Sequence, residues 1–182
     1  MKKMNALKIS IFSLLFTALL PATLKAQDDD HAKLKADAEN AKAEFIKSDE
    51  LMQGLFDNAA GYVIFPNVGK GAIGVGGAAG NGILYENGQA VGRAKMKQVT
   101  VGFQFGGQAY REVIFFEDQA AIDRFKTSNF ELSAQASAVA VTKGASANVK
   151  YRDGVLIFTQ EKGGLMYEAS VGGQHFDFEK FQ

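Results

Sequence analysis

The chain has 182 residues, with 20 basic and 20 acidic side chains and neither cysteine nor tryptophan. Without cysteine it can form no disulfide and carry no cysteine-attached lipid, so packing alone must hold it together. The even charge is uneven along the chain: residues 1–26 hold Lys2, Lys3, Lys8 and Lys25 and no acid, which leaves 16 basic against 20 acidic residues beyond them, and that negative remainder without a basic stripe excludes a nucleic-acid binder.

The N-terminus reads as a secretion signal. Met1 to Lys8 carry three lysines, Ile9 to Leu20 form a short apolar run, and Pro21 follows. A run of about a dozen residues is too short for a membrane-spanning helix, which needs roughly 20, but suits the apolar core of a signal peptide. Ala26, before Gln27 and Asp28-Asp29-Asp30, is the expected cleavage point, and the expected destination is the periplasm or cell envelope. The sequence thus divides into a signal peptide over 1–26, a helical segment over 27–60 and a β-rich domain over 61–182.

From Asp29 to about Phe56 the pattern is helical. Leu34, Ala38, Ala41 and Phe45 recur at spacings of four, three and four, which gathers them on one narrow stripe. Ser48 with Asp49 predicts an N-cap and a second helix through Leu51, Met52, Leu55 and Phe56. Beyond Ala60 the character changes, with 13 glycines among the 47 residues from Gly61 to Gly107, a density that helices do not tolerate. Strands are predicted instead. Tyr62–Phe65, Val113–Phe116 and Val155–Phe158 are continuous β-forming runs, while Val99, Val101, Phe103 and Phe105 alternate with small or polar residues and predict a strand with one buried face.

Asn81-Gly82, Asn87-Gly88 and Asp153-Gly154 are candidate two-residue hairpin turns, with Gly163-Gly164 a fourth. One helix is expected among the strands, from Asp118 to about Lys126, burying Ala121, Ile122 and Phe125. Glycines within strands mark bends and close approaches. The fold class is therefore α+β: a strongly curved, glycine-rich antiparallel β-sheet or barrel with two N-terminal helices and one inserted helix.

Motifs for chemistry are weak. Gly69-x-Gly71-x-x-Gly74 has the spacing of a dinucleotide fingerprint, but that chemistry needs a helix to start there, and Val75-Gly76-Gly77-Ala78-Ala79-Gly80 cannot sustain one. His31 and His175, the two histidines, lie in no metal-ligand spacing. No nucleophile, base and orienting group stand together, so no enzyme activity, cofactor or metal is expected. The first helix is more informative: Lys35 and Lys42 flank one side of its apolar stripe, and Lys33 and Lys47 the other. Such lysines can lie over apolar surface while their ammonium groups reach phosphate. The same stripe equally suits a helix packed on its own sheet.

Gly61-Tyr62-Val63-Ile64-Phe65-Pro66-Asn67-Val68-Gly69-Lys70-Gly71, then Gly74-Val75-Gly76-Gly77, Phe105-Gly106-Gly107-Gln108 and Val113-Ile114-Phe115-Phe116 resemble the SYLF family of lipid-binding domains. Lys162-Gly163-Gly164-Leu165 and Ala169-Ser170-Val171-Gly172-Gly173 agree with it. Eukaryotic SYLF domains bind phosphoinositides with help from an amphipathic N-terminal helix, and some bind actin. The resemblance therefore implies a non-enzymatic partner of anionic phospholipid or a membrane surface. It implies lipid contacts at Lys33, Lys35, Lys42 and Lys47 and, in the family's Pro-x-x-Gly-Lys-Gly turn, at Lys70. An exported chain meets neither cytosolic phosphoinositide nor actin, which leaves envelope phospholipid as the expected ligand. An apolar ligand carried within a barrel, or purely protein contacts, are the alternatives.

Overall fold

The computed structural model describes residues 20–73, 75–101, 106–127, 130–162 and 169–181. Most of the secretion signal, Gly74, Phe103, Phe105 and the Gly163-Gly164 turn lie outside them. The chain forms two compact units, residues 1–33 and 34–182. In the first, the described residues 20–33 are helical. They are the start of helix α1, Leu20–Ser48, which continues without a break through Ala26. No described helix is long and apolar enough to cross a membrane.

The described residues of the second unit form the rest of α1, helix α2 (Met52–Asn58), helix α3 (Gln119–Lys126) and nine strands. These are β1 (Gly61–Ile73), β2 (Val75–Glu86), β3 (Gln89–Val101), β4 (Gly106–Phe116), β5 (Phe130–Glu131), β6 (Ser137–Ala140), β7 (Val155–Glu161), β8 (Ala169–Ser170) and β9 (His175–Lys180). They make one sheet in the order β5-β9-β3-β2-β1-β4-β7-β6-β8. Every pairing is antiparallel except β6 with β7, which is parallel. The order runs from β5 at one edge to β8 at the other, so the expected curvature is present but no pairing among the described residues closes a barrel.

The curl can be read from one side chain. β4 and β9 stand four strand spacings apart, roughly 19 Å in a flat sheet at about 4.8 Å per spacing. Yet the Phe125 ring of α3 lies 5.1 Å from Phe116 of β4 and 5.4 Å from Phe176 of β9, centroid to centroid. Only a sheet rolled around α3 permits both contacts.

Both faces of the sheet centre are consequently covered, which is why its strands are continuous apolar runs rather than alternating ones. Tyr62, Ile64, Ile83, Tyr85, Val113, Phe115, Leu156 and Phe158 point outward and meet Ala38, Ala41 and Phe45 of α1 with Met52 and Phe56 of α2. Val63, Phe65, Leu84, Ile114, Phe116 and Ile157 point into the concavity with Ala121, Ile122 and Phe125 of α3. The stripe read from the first helix is therefore buried against the protein's own sheet.

Local signals explain most boundaries. Asp118 caps α3, its Oδ1 accepting from Ala121 N at 2.8 Å, and Asn87-Gly88 and Asp153-Gly154 adopt the positive φ pairs (50° and 74°, 52° and 76°) of tight turns. Other expectations fail for identifiable reasons. Asn81-Gly82 is no turn but lies inside β2, paired to β1 and β3. A Cβ on Gly82 would stand 2.7 Å from Ile64 O and from the Phe65 ring, so glycine serves close approach at the β1 bulge. Ser48-Asp49 does not cap α2. Asp49 turns inward instead, its Oδ2 accepting from Ser146 N (2.8 Å) and Ser146 Oγ (2.6 Å) and its Oδ1 from Leu51 N (3.2 Å), which ties the α1–α2 corner to a loop 97 residues away. Val99 does not lie on a buried face: it is 77% exposed, and its strand buries Ala94, Met96 and Gln98 instead.

Replacing Gly82 by Ala should lower stability to urea by about 1–3 kcal/mol through overpacking. Gly69→Ala, where a Cβ meets nothing within 4 Å, should stay within about 0.5 kcal/mol of wild type. Equal losses at both sites would contradict the close-approach account.

Candidate functional site

The five lysines singled out from the sequence are not gathered into one cluster. Lys33 is exposed in the first unit. Lys35 Nζ lies 4.2 Å from the centre of the Phe181 ring, and Lys47 pairs with Glu44 of its own helix at 3.6 Å. Lys42 is built into the packing of α1. Its Nζ donates to Tyr62 Oη at 3.1 Å and lies 5.0 Å from the Phe56 ring centre and 5.2 Å from that of Tyr62, while Tyr62 stacks on Tyr85. Cation–π contacts of this kind contribute about 0.5–2 kcal/mol. Lys70 is not in a turn, because β1 runs straight through it, paired to Ala78 on one side and Gln108 on the other. For the same reason Gly69–Ile73 is strand, and no helix opens there to receive a dinucleotide.

A different grouping emerges from the strand register. The far ends of β1 to β4 pair Gly71 with Gly77 and Gly107, and Val75 with Val101. Residues 71–85 and 98–110 contain no charged side chain at all. Cations stand at the base of this charge-free end. Arg93, Lys95 and Lys97 lie at alternate positions of β3, sharing by period two the outer face of Val99, and Lys95 and Lys97 are exposed.

Across the sheet, Arg111 of β4 donates to Gln160 Oε1 at 3.1 Å. Lys162, just past β7, bonds Asn67 Oδ1 through its ammonium group. Desolvation, and next the charge of Arg111, push the Lys162 ammonium below its ordinary value, with Asp37 opposing; two cations held this close favour an anionic visitor. Arg93 Nη2 donates to Asn81 Oδ1 at 2.9 Å, and a shallow hollow of about 290 Å³ lies between Asn67, Ala79, Asn81, Lys95 and Lys97. Small residues in the middle expose backbone, and cations with amide side chains frame them. Sequence reading by helix stripes missed this group because its basic members run from Arg93 to Lys162 and meet only through register. The signal that could have revealed it is the pair of charge-free runs, the first opened by Lys70 and the second bounded by Lys97 and Arg111.

A second concavity, a cleft of about 850 Å³, opens beside β7. Leu132, Val139, Val155 and Ile157 line it together with Arg124 and Arg152. Among the described residues no three acidic or histidine side chains are grouped to hold a metal ion.

Comparison with known proteins agrees with the resemblance read from the motifs. Residues 97–180, from β3 to β9, match the family model Ysc84, described as Las17-binding protein actin regulator. A relative, Beta cell expansion factor A of Aeromonas veronii, is 30% identical over 128 residues, covering 69% of this chain. The matched region spans 48% of that protein's length, about half of it.

Replacing Lys42 by Ala should cost about 1–2 kcal/mol of stability by removing the ammonium from its aromatic setting, whereas Lys97→Ala, on exposed surface, should cost less than about 0.5 kcal/mol. Urea titrations of the two variants check this ordering, and a stable Lys42→Ala protein would show that α1 docks without that contact.

Proposed function

The chain carries a domain of the SYLF family, a family of lipid- and actin-associated binding domains, and on that premise we propose that it is a non-enzymatic protein that rests on anionic phospholipid at the surface of the cell envelope. The observation that carries the reading is the cation-framed, charge-free end of β1 to β4. Anionic headgroups attract basic side chains by about 1 kcal/mol each near a membrane surface, and an uncharged strand end incurs no charge desolvation where it meets the interface. Lys95, Lys97, Arg111 and Lys162 are the principal contacts in this proposal. Lys33, Lys47 and Lys70 add positive charge, while Lys35 and Lys42 act mainly in holding α1 to the sheet. The N-terminal signal, with cleavage near Ala26, delivers the protein to that compartment.

Phospholipid suits this surface better than nucleic acid, because the remainder of the domain is acidic and the basic group is local. It suits it better than catalysis, because the exposed group offers cations and amides but no nucleophile paired with a base.

The test is sedimentation with vesicles of phosphatidylglycerol mixed into phosphatidylcholine, at low and at high salt. The intact protein should bind the anionic vesicles at low salt, release from them as salt rises, and ignore pure phosphatidylcholine. Lys95→Glu with Lys97→Glu should weaken binding at least tenfold, and more than Lys33→Glu with Lys47→Glu does. Absence of binding at low salt would sink the reading, and a greater effect of the helix pair would move the contact to α1.

A second reading, carriage of an apolar ligand, is favoured by the cleft beside β7, whose volume lies in the range of small-molecule sites. Native mass spectrometry of the purified protein should then show an added mass of lipid size, lost when Val155 or Ile157 is replaced by Asp. A spectrum of the bare chain alone excludes it.

A further inference from the structure

Glu112 sits where the rolled sheet is tied to itself. It is fully buried on the concave face, in register between Phe65 of β1 and Thr159 of β7. Its Oε2 accepts from Gln174 Nε2 at 2.9 Å, a bond from β4 to the turn that leads into β9. That turn holds several elements at once: Leu132 N donates to Gln174 O (3.0 Å), Gly173 N to Leu132 O (3.1 Å), and Gln98 Nε2 of β3 to Gly172 O (2.9 Å).

The remaining polar atoms of the cluster add no hydrogen bond to the carboxyl. Glu112 Oε1, Thr159 Oγ1 and Gln174 Oε1 are buried and have no hydrogen-bond partner. Thr159 is 1% exposed and Gln174 fully buried. An ionised carboxyl in this position would hold a full charge out of water on a single hydrogen bond, a state that costs several kcal/mol unless compensated.

The surrounding groups offer little compensation. On β4, Tyr110 shares the face of Glu112, and Glu161 of β7 stands opposite Tyr110, its Oε2 likewise buried without a partner. On β1, Lys70 shares the face of Val68 and lies farther along, opposite Gln108. β3 contributes Met96 and Gln98 to this face, α3 contributes Ala121, Ile122 and Phe125, and the turn contributes Gln174. An acid, a phenol and one more distant ammonium therefore face the carboxyl. A protonated carboxyl removes that buried charge and keeps the bond from Gln174.

We propose that Glu112 is an interior proton-binding site: the neutral acid is its native form, joined to the 171–174 turn through Gln174, and loss of its proton to solvent leaves a buried charge that destabilises the rolled sheet. This inference stands whether or not the domain binds lipid. The carboxyl behaves accordingly, since burial raises it from an ordinary 4.5 to about 7, the Gln174 amide opposing only in part.

The sign of the pH effect follows. Between pH 4.5 and about 7 the folded chain holds a proton that the unfolded chain has released, so stability falls as pH rises through that window. The contribution is fully present below 4.5 and lost above about 7. The folding equilibrium constant should drop by roughly two orders of magnitude across it.

The experiment is urea unfolding of the full chain from pH 4.5 to 8.5 for wild type and Glu112→Gln, with a carboxyl-carbon NMR titration of wild type labelled at glutamate. The readout is the difference between the two proteins, in which contributions common to both cancel. Wild type should lose about 100-fold in folding constant relative to Glu112→Gln, and one glutamate resonance should titrate near pH 7. Parallel curves, or glutamates that all titrate in the ordinary carboxylate range, would overturn the proposal. So would a resonance ionised at every pH with a bound cation found by elemental analysis. If Glu112→Gln does not fold, the wild-type NMR titration decides alone.

Discussion

The contact of Phe125 with both Phe116 and Phe176 is the constraint on which the rest of this molecule depends. It joins strands that four spacings of sheet would hold apart, and so fixes how tightly the sheet rolls. Phe65 and Phe130 close on Phe176 from β1 and β5 at 5.6 and 5.9 Å. Each buried ring contributes on the order of 1.5–3 kcal/mol by removal from water, and several meet at one place. The glycines answer to the same constraint: Gly92 accommodates Phe178, whose ring would stand 2.3 Å from a Cβ there. Strands that approach this closely need residues without side chains on the concave side.

Rolling the sheet also decides what its outer face can do. The convex side near the α1–α2 corner is covered, because Phe45, Met52 and Phe56 need a partner and the outward rings of Tyr62, Phe115 and Phe158 provide one. The stripe of α1 is thereby committed to the interior of the protein. Toward the far end of β1 to β4 the charges stop at Lys70, Lys95, Lys97 and Arg111. The basic residues of helix and sheet thus fall into different physical roles despite similar composition. Lys42 stabilises docking, while Lys95 and Lys97 face solvent.

Much of this was legible in the sequence, and the reasons for the gaps are specific. The α3 cap and face, the Asn87-Gly88 and Asp153-Gly154 turns and the apolar strand runs are local, and each is seen where local chemistry puts it. Asn81-Gly82 misled because one dipeptide serves two purposes, a positive φ or room for a neighbour, and only the β1 bulge distinguishes them. Asp49 bonding Ser146, and Glu112 bonding Gln174, join residues 97 and 62 positions apart, beyond the reach of any periodicity. The parallel pairing of β6 with β7 was hidden for the same reason. Of the candidate site, the basic residues were visible singly, but the grouping of Lys95 and Lys97 with Arg111 and Lys162 exists only in the register.

The central functional claim is that the charge-free sheet end, and not α1, meets the lipid surface. The absence of cysteine allows a direct measurement, with an environment-sensitive fluorophore placed at Val99→Cys in one protein and at Ala36→Cys, exposed on α1, in another. On addition of phosphatidylglycerol vesicles at low salt, the probe at position 99 should shift to the blue and brighten while that at position 36 stays as in water. A response at 36 with none at 99 would contradict the account.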